Sequence, residues 1–402
     1  MRACRRPAKS IPGLEFCGPA HLGYKRHYMR FASEMLLSPG LQKRTGVAFE
    51  VVGSPLDADV LLCRPGGALR LLDARLASPL RDGQLLLVVE DSDSASVETT
   101  PMVLREPRTL AVLKHYAWRG YGGQCPPCST HDAREGAASN WGTLCFNHRW
   151  PKLLSALSRR GRARAGRRPL TSAEATALSV EAGCPPPLGD ELARKVTVAL
   201  PSWLTLSKAV LWKRTTLKVL RPVRARDVDV AFVGKLNCEY GRLYGGSPFE
   251  HRSSLMRQLK LLGKRRGWKV VVGTDWPARR YYELLFNTKI FISPWGTGEW
   301  SGKDEEAILC GAVLMKPGAA LFEFTIPIFT PNVTCLDVRP DWVDLEGALS
   351  SALSNTSHLQ VIQRKAYAAL QRFSSFERAS QQEETMQRFS QVVARVKELR
   401  TI

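Results

Sequence analysis

The chain has 402 residues, of which 44% are hydrophobic, so the composition is that of a globular protein with room for two or three domains. No run of about 18 apolar residues exists, which excludes a transmembrane helix, and the basic N-terminus lacks the apolar core of a secretory signal. The formal net charge of +21 favours anionic partners such as nucleotide phosphates, acidic membrane surfaces or nucleic acid.

The first part of the chain is predicted to contain short strands at Val47–Val52, Asp59–Cys63 and Leu85–Val89. The third strand is wholly apolar, as expected for a buried strand, and is followed by Asp91 and Asp93. Because ligands bind beyond the carboxyl ends of strands in α/β sheets, these two carboxylates are candidates for a functional role. A helix cap or a solvated loop is the alternative explanation for both.

Residues 111–118, with the sequence AVLKHYAW, are predicted to form a helix. This helix would place Lys114 and His115 near the same strand ends as the two carboxylates. A further histidine, His21, lies in a predicted loop, where a solvated side chain is the simpler explanation.

A cluster of cysteine and histidine lies between residues 120 and 150. Its spacing is C-x2-C-x16-C-x2-H, formed by Cys125, Cys128, Cys145 and His148. Zinc prefers four thiolate or imidazole ligands on two such pairs, so the spacing allows a structural zinc site. Free or redox-active thiols in an inserted loop are the alternative. The other cysteines are scattered, mostly in apolar contexts, which indicates a reducing compartment, and we expect a cytoplasmic protein.

Arginine dominates residues 158–168, SRRGRARAGRR, and the composition is typical of an exposed loop or linker. A peripheral contact with an anionic membrane, binding of nucleic acid and a nuclear signal are the alternatives. The segment contains no interleaved aromatic residue, which argues against nucleic acid.

A second α/β domain is predicted to begin near Arg226. Its first strand, Asp227–Val233, is followed by Gly234 and Lys235, and a basic amphipathic helix then extends over His251–Arg266 with Arg252 in its first turn. Strands and helices continue to alternate along the chain, which predicts a parallel sheet.

The most informative stretch is Lys289–Phe324. A strand that ends before Pro294 is followed by a glycine-rich loop over residues 295–302, a helix opened by acidic residues, and a strand that begins after Gly311. The glycines let the backbone of this loop approach a ligand closely. An ordinary strand–helix–strand unit with no site has the same pattern.

The residues of this stretch also carry a family resemblance. The motifs are S-P-W-G-x-G-E at 293–299, K-D-x-E-A at 303–307 and G-A-V-L-x-K-P at 311–317. They resemble a family of glycosyltransferases common in bacterial polysaccharide gene clusters. A downstream W-D-x-x-D-L motif of that family is echoed at residues 340–345. The resemblance covers roughly residues 228–350 and is strongest at 292–317.

The resemblance implies an α/β fold in which two Rossmann-like domains face each other across a cleft, known as the GT-B architecture. The expected domains are an acceptor-side domain over residues 1–205 with a Cys/Arg-rich insertion at 120–190, a donor domain over 206–355, and C-terminal helices over 356–402.

The implied activity is transfer of a sugar from a nucleotide-diphosphate sugar to a glycan, lipid or protein acceptor. The enzyme would be a hexosyl- or pentosyltransferase that needs neither a metal ion nor another cofactor, since fixed cations stabilise the departing diphosphate. Lys303 would be the catalytic cation and Glu306 would accept hydrogen bonds from ribose hydroxyls. Asp91 or Asp93 would deprotonate the acceptor. The implied donor-binding residues are Gly234, Lys235, Arg252, Pro294, Gly296, Gly298, Glu299, Lys303, Asp304 and Glu306.

Two departures from the family pattern concern the site itself. Lys303 stands where the family has arginine, which keeps the charge and loses the bidentate fork. Glu299 lies seven residues before Glu306, whereas the broader glycosyltransferase pattern has a spacing of eight. The Lys303 departure leaves open a catalytically silent protein that still binds sugar nucleotides. The net charge, the arginine-rich segment and the Cys/His spacing leave open a nucleic-acid-binding protein with a zinc-stabilised insertion.

Overall fold

The computed structural model contains two parallel β-sheets with their helices. It describes residues 2–4, 25–52, 58–63, 68, 72, 80–90, 101–114, 116–118, 195–200, 220–236, 250–294, 300–319, 322–339, 342–373, 378 and 380–400. The predicted α/β fold with two Rossmann-like sheets is confirmed.

The first sheet has six parallel strands in the order β2-β1-β3-β4-β5-β7. The strands are β1 (Arg2–Cys4), β2 (Glu50–Val52), β3 (Val60–Cys63), β4 (Leu85–Val89), β5 (Thr109–Lys114) and β7 (Val196–Val198). The helices of this half are α1 (Lys25–Leu36), α2 (Pro39–Thr45) and α3 (Pro101–Arg105).

The second sheet has five parallel strands in the order β13-β11-β10-β8-β9. The strands are β8 (Val228–Val233), β9 (Val270–Gly273), β10 (Thr288–Ile292), β11 (Val313–Pro317) and β13 (Leu336–Val338). The connecting helices are α4 (Glu250–Arg266), α5 (Ala278–Asn287), α6 (Gly302–Leu309) and α7 (Leu345–Ser354).

Both sheets follow one topology. When the strands of each sheet are numbered in chain order, the second strand lies at one edge and is followed by the first, third, fourth and fifth strands, and the first sheet adds a sixth strand after these. In this doubly wound order the direction of winding reverses between the first and third strands, where ligands characteristically bind. In the second sheet this reversal lies between β8 and β10.

The C-terminal helices connect the two halves. Helix α8 (Thr356–Arg372) packs against α6 and β11 of the second half, whereas α9 (Glu383–Arg400) packs against α2, β5 and β7 of the first. Arg395 Nη1 donates to the carbonyl of Leu110 across 3.3 Å. A two-stranded antiparallel ladder also joins β6 (Tyr116–Trp118) to β12 (Phe322–Phe324).

The prediction of a helix over residues 111–118 is wrong. The chain there forms the end of β5 and then β6. All six residues of β5 are buried, because this inner strand is covered on both faces. Such a strand is continuously apolar and lacks the alternation that separates a strand from a buried helix. The short strand β1 was not predicted, because its three residues, RAC, lie in a basic stretch with no apolar pattern.

A buried arginine links the C-terminal ends of two helices in the second half. Arg226 is 2% exposed and donates to the carbonyls of Leu285 at 3.0 Å and Cys310 at 2.9 Å. These carbonyls lie at the ends of α5 and α6, where helical acceptors have no partner within the helix. Burial lowers the pKa of Arg226 to about 10. Gly311 lies against the guanidinium with a φ of +75°, and a Cβ there would be 2.4 Å from Arg226 Nη2.

Candidate functional site

The candidate site lies at the carboxyl end of β8, where the second sheet reverses its winding. The backbone of Gly234 follows this strand directly, and the Lys303 ammonium donates to the carbonyl of Val233 across 2.9 Å. A Cβ on residue 234 would lie 3.1 Å from the ring of Phe232 and 3.5 Å from Lys303 Nζ. Glycine therefore keeps the space between the strand end and the lysine open.

Lys303 is held at the start of α6 by a capping box. The Ser301 hydroxyl accepts from the Lys303 amide at 3.2 Å, and the Ser301 amide donates to Asp304 Oδ2 at 3.0 Å. This reciprocal arrangement fixes the first helical turn and satisfies two of its donors. The positive end of the α6 dipole thus lies beside the lysine that projects toward β8.

A second cation reaches the same strand end. Arg252, in the first turn of α4, donates to the carbonyl of Lys235 across 2.9 Å. Burial lowers the pKa of Lys303, and the charge of Arg252 lowers it further. The carboxylates of Glu306 and Asp275 act on the Lys303 pKa in the opposite direction. The positive charges of Lys303 and Arg252 repel each other beside the backbone of Gly234. An anion bound between them would relieve this repulsion.

Glu306 lies one helical turn beyond Lys303. The Tyr282 hydroxyl on α5 donates to Glu306 Oε1 at 3.2 Å. Burial raises the pKa of Glu306, an effect that the nearby hydroxyls of Tyr281 and Tyr282 oppose. Burial also raises the pKa of Tyr281 well above its usual value, and the charge of Glu306 adds to this shift.

The two tyrosines are site residues that sequence reasoning missed. Tyr281 contributes its ring as well, since Lys303 Nζ lies 5.7 Å from the ring centroid. Both tyrosines belong to the first turns of α5. No signal in the sequence indicates that this helix faces α6, because that contact depends on how both helices pack on the sheet.

Asp304 of the K-D-x-E-A motif points into the protein interior. Its side chain is 0% exposed and forms an ion pair with Lys316, whose Nζ is 2.8 Å from Oδ2. Asp304 therefore stabilises the start of α6 from inside the fold. Of the other predicted donor-binding residues, the Lys235 side chain is exposed and Pro294 is buried just after β10.

A similar buried ion pair lies in the first half. Lys114 at the end of β5 pairs with Glu90, the residue after β4, and both side chains are at most 1% exposed. The pair joins the carboxyl ends of two adjacent strands. Asp91 and Asp93 follow Glu90 in the chain and lie outside the described residues, as does His115.

Several predicted site residues fall outside the part of the chain that the structure describes. They are Gly296, Gly298 and Glu299 of the glycine-rich loop, the cluster Cys125, Cys128, Cys145 and His148, and His21. Within the described ranges, no group of three or more histidine, cysteine or acidic side chains is arranged to hold a metal ion. No helix in those ranges has the length and apolarity needed to cross a bilayer.

Three of the described cysteines, Cys63, Cys310 and Cys335, are free and buried. Burial raises the pKa of Cys63 to about 12, and it also raises the pKa of Cys310 and of Cys335. Because the thiolate is the nucleophile, these three cysteines do not supply a reactive group.

Comparisons with known proteins give distant structural likenesses. No protein-family model matches the chain, and a search of curated proteins finds no match. Anabaena HepE in complex with UDP-glucose is 12% identical, with 100% of this chain and 98% of that chain covered and a TM-score of 0.34. The α,α-trehalose 6-phosphate synthase of Burkholderia multivorans is 11% identical, with coverages of 94% and 81% and a TM-score of 0.34. An apo structure of OtsA is 11% identical, with coverages of 89% and 75% and a TM-score of 0.37. Since all three TM-scores lie below 0.5, these likenesses do not assign a function to the chain.

Proposed function

We propose that this protein is a glycosyltransferase that takes a sugar from a nucleotide-diphosphate sugar. The observation that carries the proposal is the convergence of Lys303, Arg252 and the open backbone of Gly234 at the end of β8. Cations, a helix N-terminus and a glycine that admits close approach are the features that bind a diphosphate.

The chemistry follows from the charge that develops during transfer. As the bond between sugar and diphosphate breaks, negative charge grows on the leaving phosphate. Lys303 is held beside the strand end before the reaction begins, so its charge stabilises the leaving group without reorganisation. Fixed cations take the part that a metal ion plays in other transferases, and we propose that this transfer is metal-independent.

Glu306 supplies the complementary carboxylate. It lies on the same helix as Lys303, one turn farther from the strand end, and Tyr282 holds one of its oxygens. A nucleotide whose diphosphate contacts Lys303 would present its ribose hydroxyls to this carboxylate. We propose that Gly298 and Glu299 of the glycine-rich loop border the sugar and that Gly296 lets the backbone approach the donor closely.

The acceptor side of the proposal depends on the carboxyl ends of the first sheet. We propose Asp91 or Asp93, which follow β4 and Glu90 in the chain, as the base that removes the proton of the acceptor hydroxyl. The acceptor class is a glycan, lipid or protein hydroxyl.

A nucleotide panel tests the donor site. Thermal unfolding is measured with UDP, GDP and ADP for the wild type, Lys303→Met, Lys303→Arg and the exposed control Lys260→Ala. A ligand at about 100 times its Kd adds about 2.7 kcal/mol to the free energy of unfolding. One nucleotide should stabilise the wild type, Lys260→Ala and Lys303→Arg, and should have no effect on Lys303→Met.

Two outcomes would instead favour the alternatives. Stabilisation by a nucleotide, with neither hydrolysis nor transfer from any sugar donor tested, would identify a silent sugar-nucleotide-binding protein. No stabilisation by any nucleotide, with salt-dependent binding to DNA or RNA and bound zinc, would identify a nucleic-acid-binding protein.

A further inference from the structure

The solvent-exposed face of helix α4 is positively charged. After Glu250, this helix contains six basic residues and no acidic residue. Its buried side is formed by leucines 255, 259 and 262, which join the core of the second half. Four exposed residues at helical spacing lie on the opposite side, and we call them the α4 basic face: Arg257, Lys260, Leu261 and Lys264.

The positive charges of this face are not compensated within the described structure. The next basic residues along the helix, Arg265 and Arg266, both form ion pairs with Glu346 on α7, and Arg266 Nε is 2.7 Å from its Oε1. No ion pair joins Arg257, Lys260 or Lys264 to any residue that the structure describes. The contrast within one helix indicates that the face is available to an external anion.

The exposed apolar side chain of Leu261 distinguishes between the possible anionic partners. Its side chain is 67% exposed and stands among the three cations. Phosphates of a nucleic acid would bind the cations and leave the leucine in water. An anionic lipid surface satisfies both, because headgroups pair with the cations while an apolar side chain enters the interface.

We propose that the α4 basic face docks the protein reversibly on an anionic lipid surface. Arg252 of the candidate donor site lies in the first turn of α4, ahead of the basic face along the chain, and donates to the carbonyl of Lys235. The inference is independent of the proposed function, because it uses neither Lys303 nor Glu306.

Vesicle sedimentation tests the docking. The full chain is mixed with phosphatidylcholine vesicles that either lack or contain phosphatidylglycerol. The variant Lys260→Glu/Lys264→Glu is compared with the control Lys43→Glu/Arg105→Glu, which changes the net charge equally at exposed positions of the first half. The wild type should bind only the anionic vesicles. The face variant should bind them at least about tenfold more weakly, and the control should stay within about twofold of the wild type.

A third variant tests the apolar contact. Leu261→Ser should weaken vesicle binding about threefold or more without a change of charge. Unchanged binding would contradict entry of the face into the interface. Equal loss in the face variant and the control would show a non-specific attraction and overturn the proposal. It would also be overturned if the face variant kept vesicle binding and lost binding to an oligonucleotide. Thermal unfolding with and without the stabilising nucleotide confirms that each variant is folded.

Discussion

The Tyr282 hydroxyl donates a hydrogen bond to Glu306 Oε1 across 3.2 Å, and this contact joins two helices that follow different strands of the second sheet. Tyr282 belongs to α5 and Glu306 to α6. The contact fixes one oxygen of the Glu306 carboxylate. Glu306, the proposed ribose-binding group, is therefore positioned by Tyr282, which lies outside the sequence motif.

Replacing Tyr282 with phenylalanine should weaken binding of the nucleotide and reduce its dependence on ribose hydroxyls. A lost hydrogen bond to a charged group corresponds to about 1.5–3 kcal/mol, so we expect a loss of about tenfold or more in affinity. Calorimetric titration with the ribonucleotide and its 2′-deoxy analogue measures both effects. Tyr367→Phe on α8 is the control and should bind like the wild type. If Tyr282→Phe discriminates between the two nucleotides as well as the wild type does, Tyr282 does not position Glu306.

The pKa shifts predict how nucleotide binding depends on pH. The raised pKa of Glu306 means that its carboxylate takes up a proton at a higher pH than an ordinary glutamate. Affinity should therefore fall already in mildly acidic solution. The lowered pKa of Lys303 means that its charge is lost at a lower pH than usual, so affinity should also fall on the alkaline side. Affinity measured across pH for the wild type and Glu306→Gln checks this. The variant should lose the acidic decrease and keep the alkaline one, and an unchanged acidic decrease would assign it to another group.

The buried pair of Lys316 and Asp304 should be necessary for stability. Both side chains are 0% exposed, so Lys316→Met leaves a buried carboxylate without its main counter-charge. Removal of one partner from such a pair costs about 3–5 kcal/mol. Urea unfolding should show this loss. The exposed pair Arg279 and Glu283 gives the control, and Arg279→Met should change the free energy of unfolding by at most about 0.5 kcal/mol. A loss in Lys316→Met no larger than in the control would contradict the structural role of Asp304.

Gly311→Ala should destabilise the protein for two reasons. Its φ of +75° is unfavourable for alanine, and the new Cβ would meet Arg226 Nη2 at 2.4 Å. We expect a loss of about 2 kcal/mol or more in the free energy of unfolding. Gly347 in α7 has no heavy atom within 4 Å of its would-be Cβ. Gly347→Ala should therefore stabilise the protein by about 0.5–1 kcal/mol. The same urea experiment measures both, and equal effects would show that neither the conformation nor the contact with Arg226 matters.

Much of the fold could be predicted from local patterns. Strand β4 and helix α4 have clear apolar runs or helical spacing, and glycine and acidic residues mark the boundaries of α6. Strand β5 was mistaken for a helix because all six of its residues are buried. Strand β1 has three residues in a basic context and is defined by its pairing with β2 and β3, which local sequence does not encode.

The site was predictable where its residues lie within motifs, and less so where it depends on packing. Lys303, Glu306 and Gly234 lie next to strand ends or helix starts that the sequence indicates. Tyr281 and Tyr282 reach the site only because α5 packs beside α6. The burial of Asp304 follows from Lys316, twelve residues away, whose side chain turns inward to meet it.

Comparison of nucleoside diphosphate with monophosphate binding tests the central claim most directly. Calorimetric titrations are made with the two forms of the stabilising nucleotide, for the wild type, Lys303→Met and Lys303→Arg. The account predicts that the wild type and Lys303→Arg bind the diphosphate at least about tenfold more tightly than the monophosphate, and that Lys303→Met binds both equally weakly. A diphosphate preference that persists in Lys303→Met would contradict the assignment of the Lys303 site to the diphosphate.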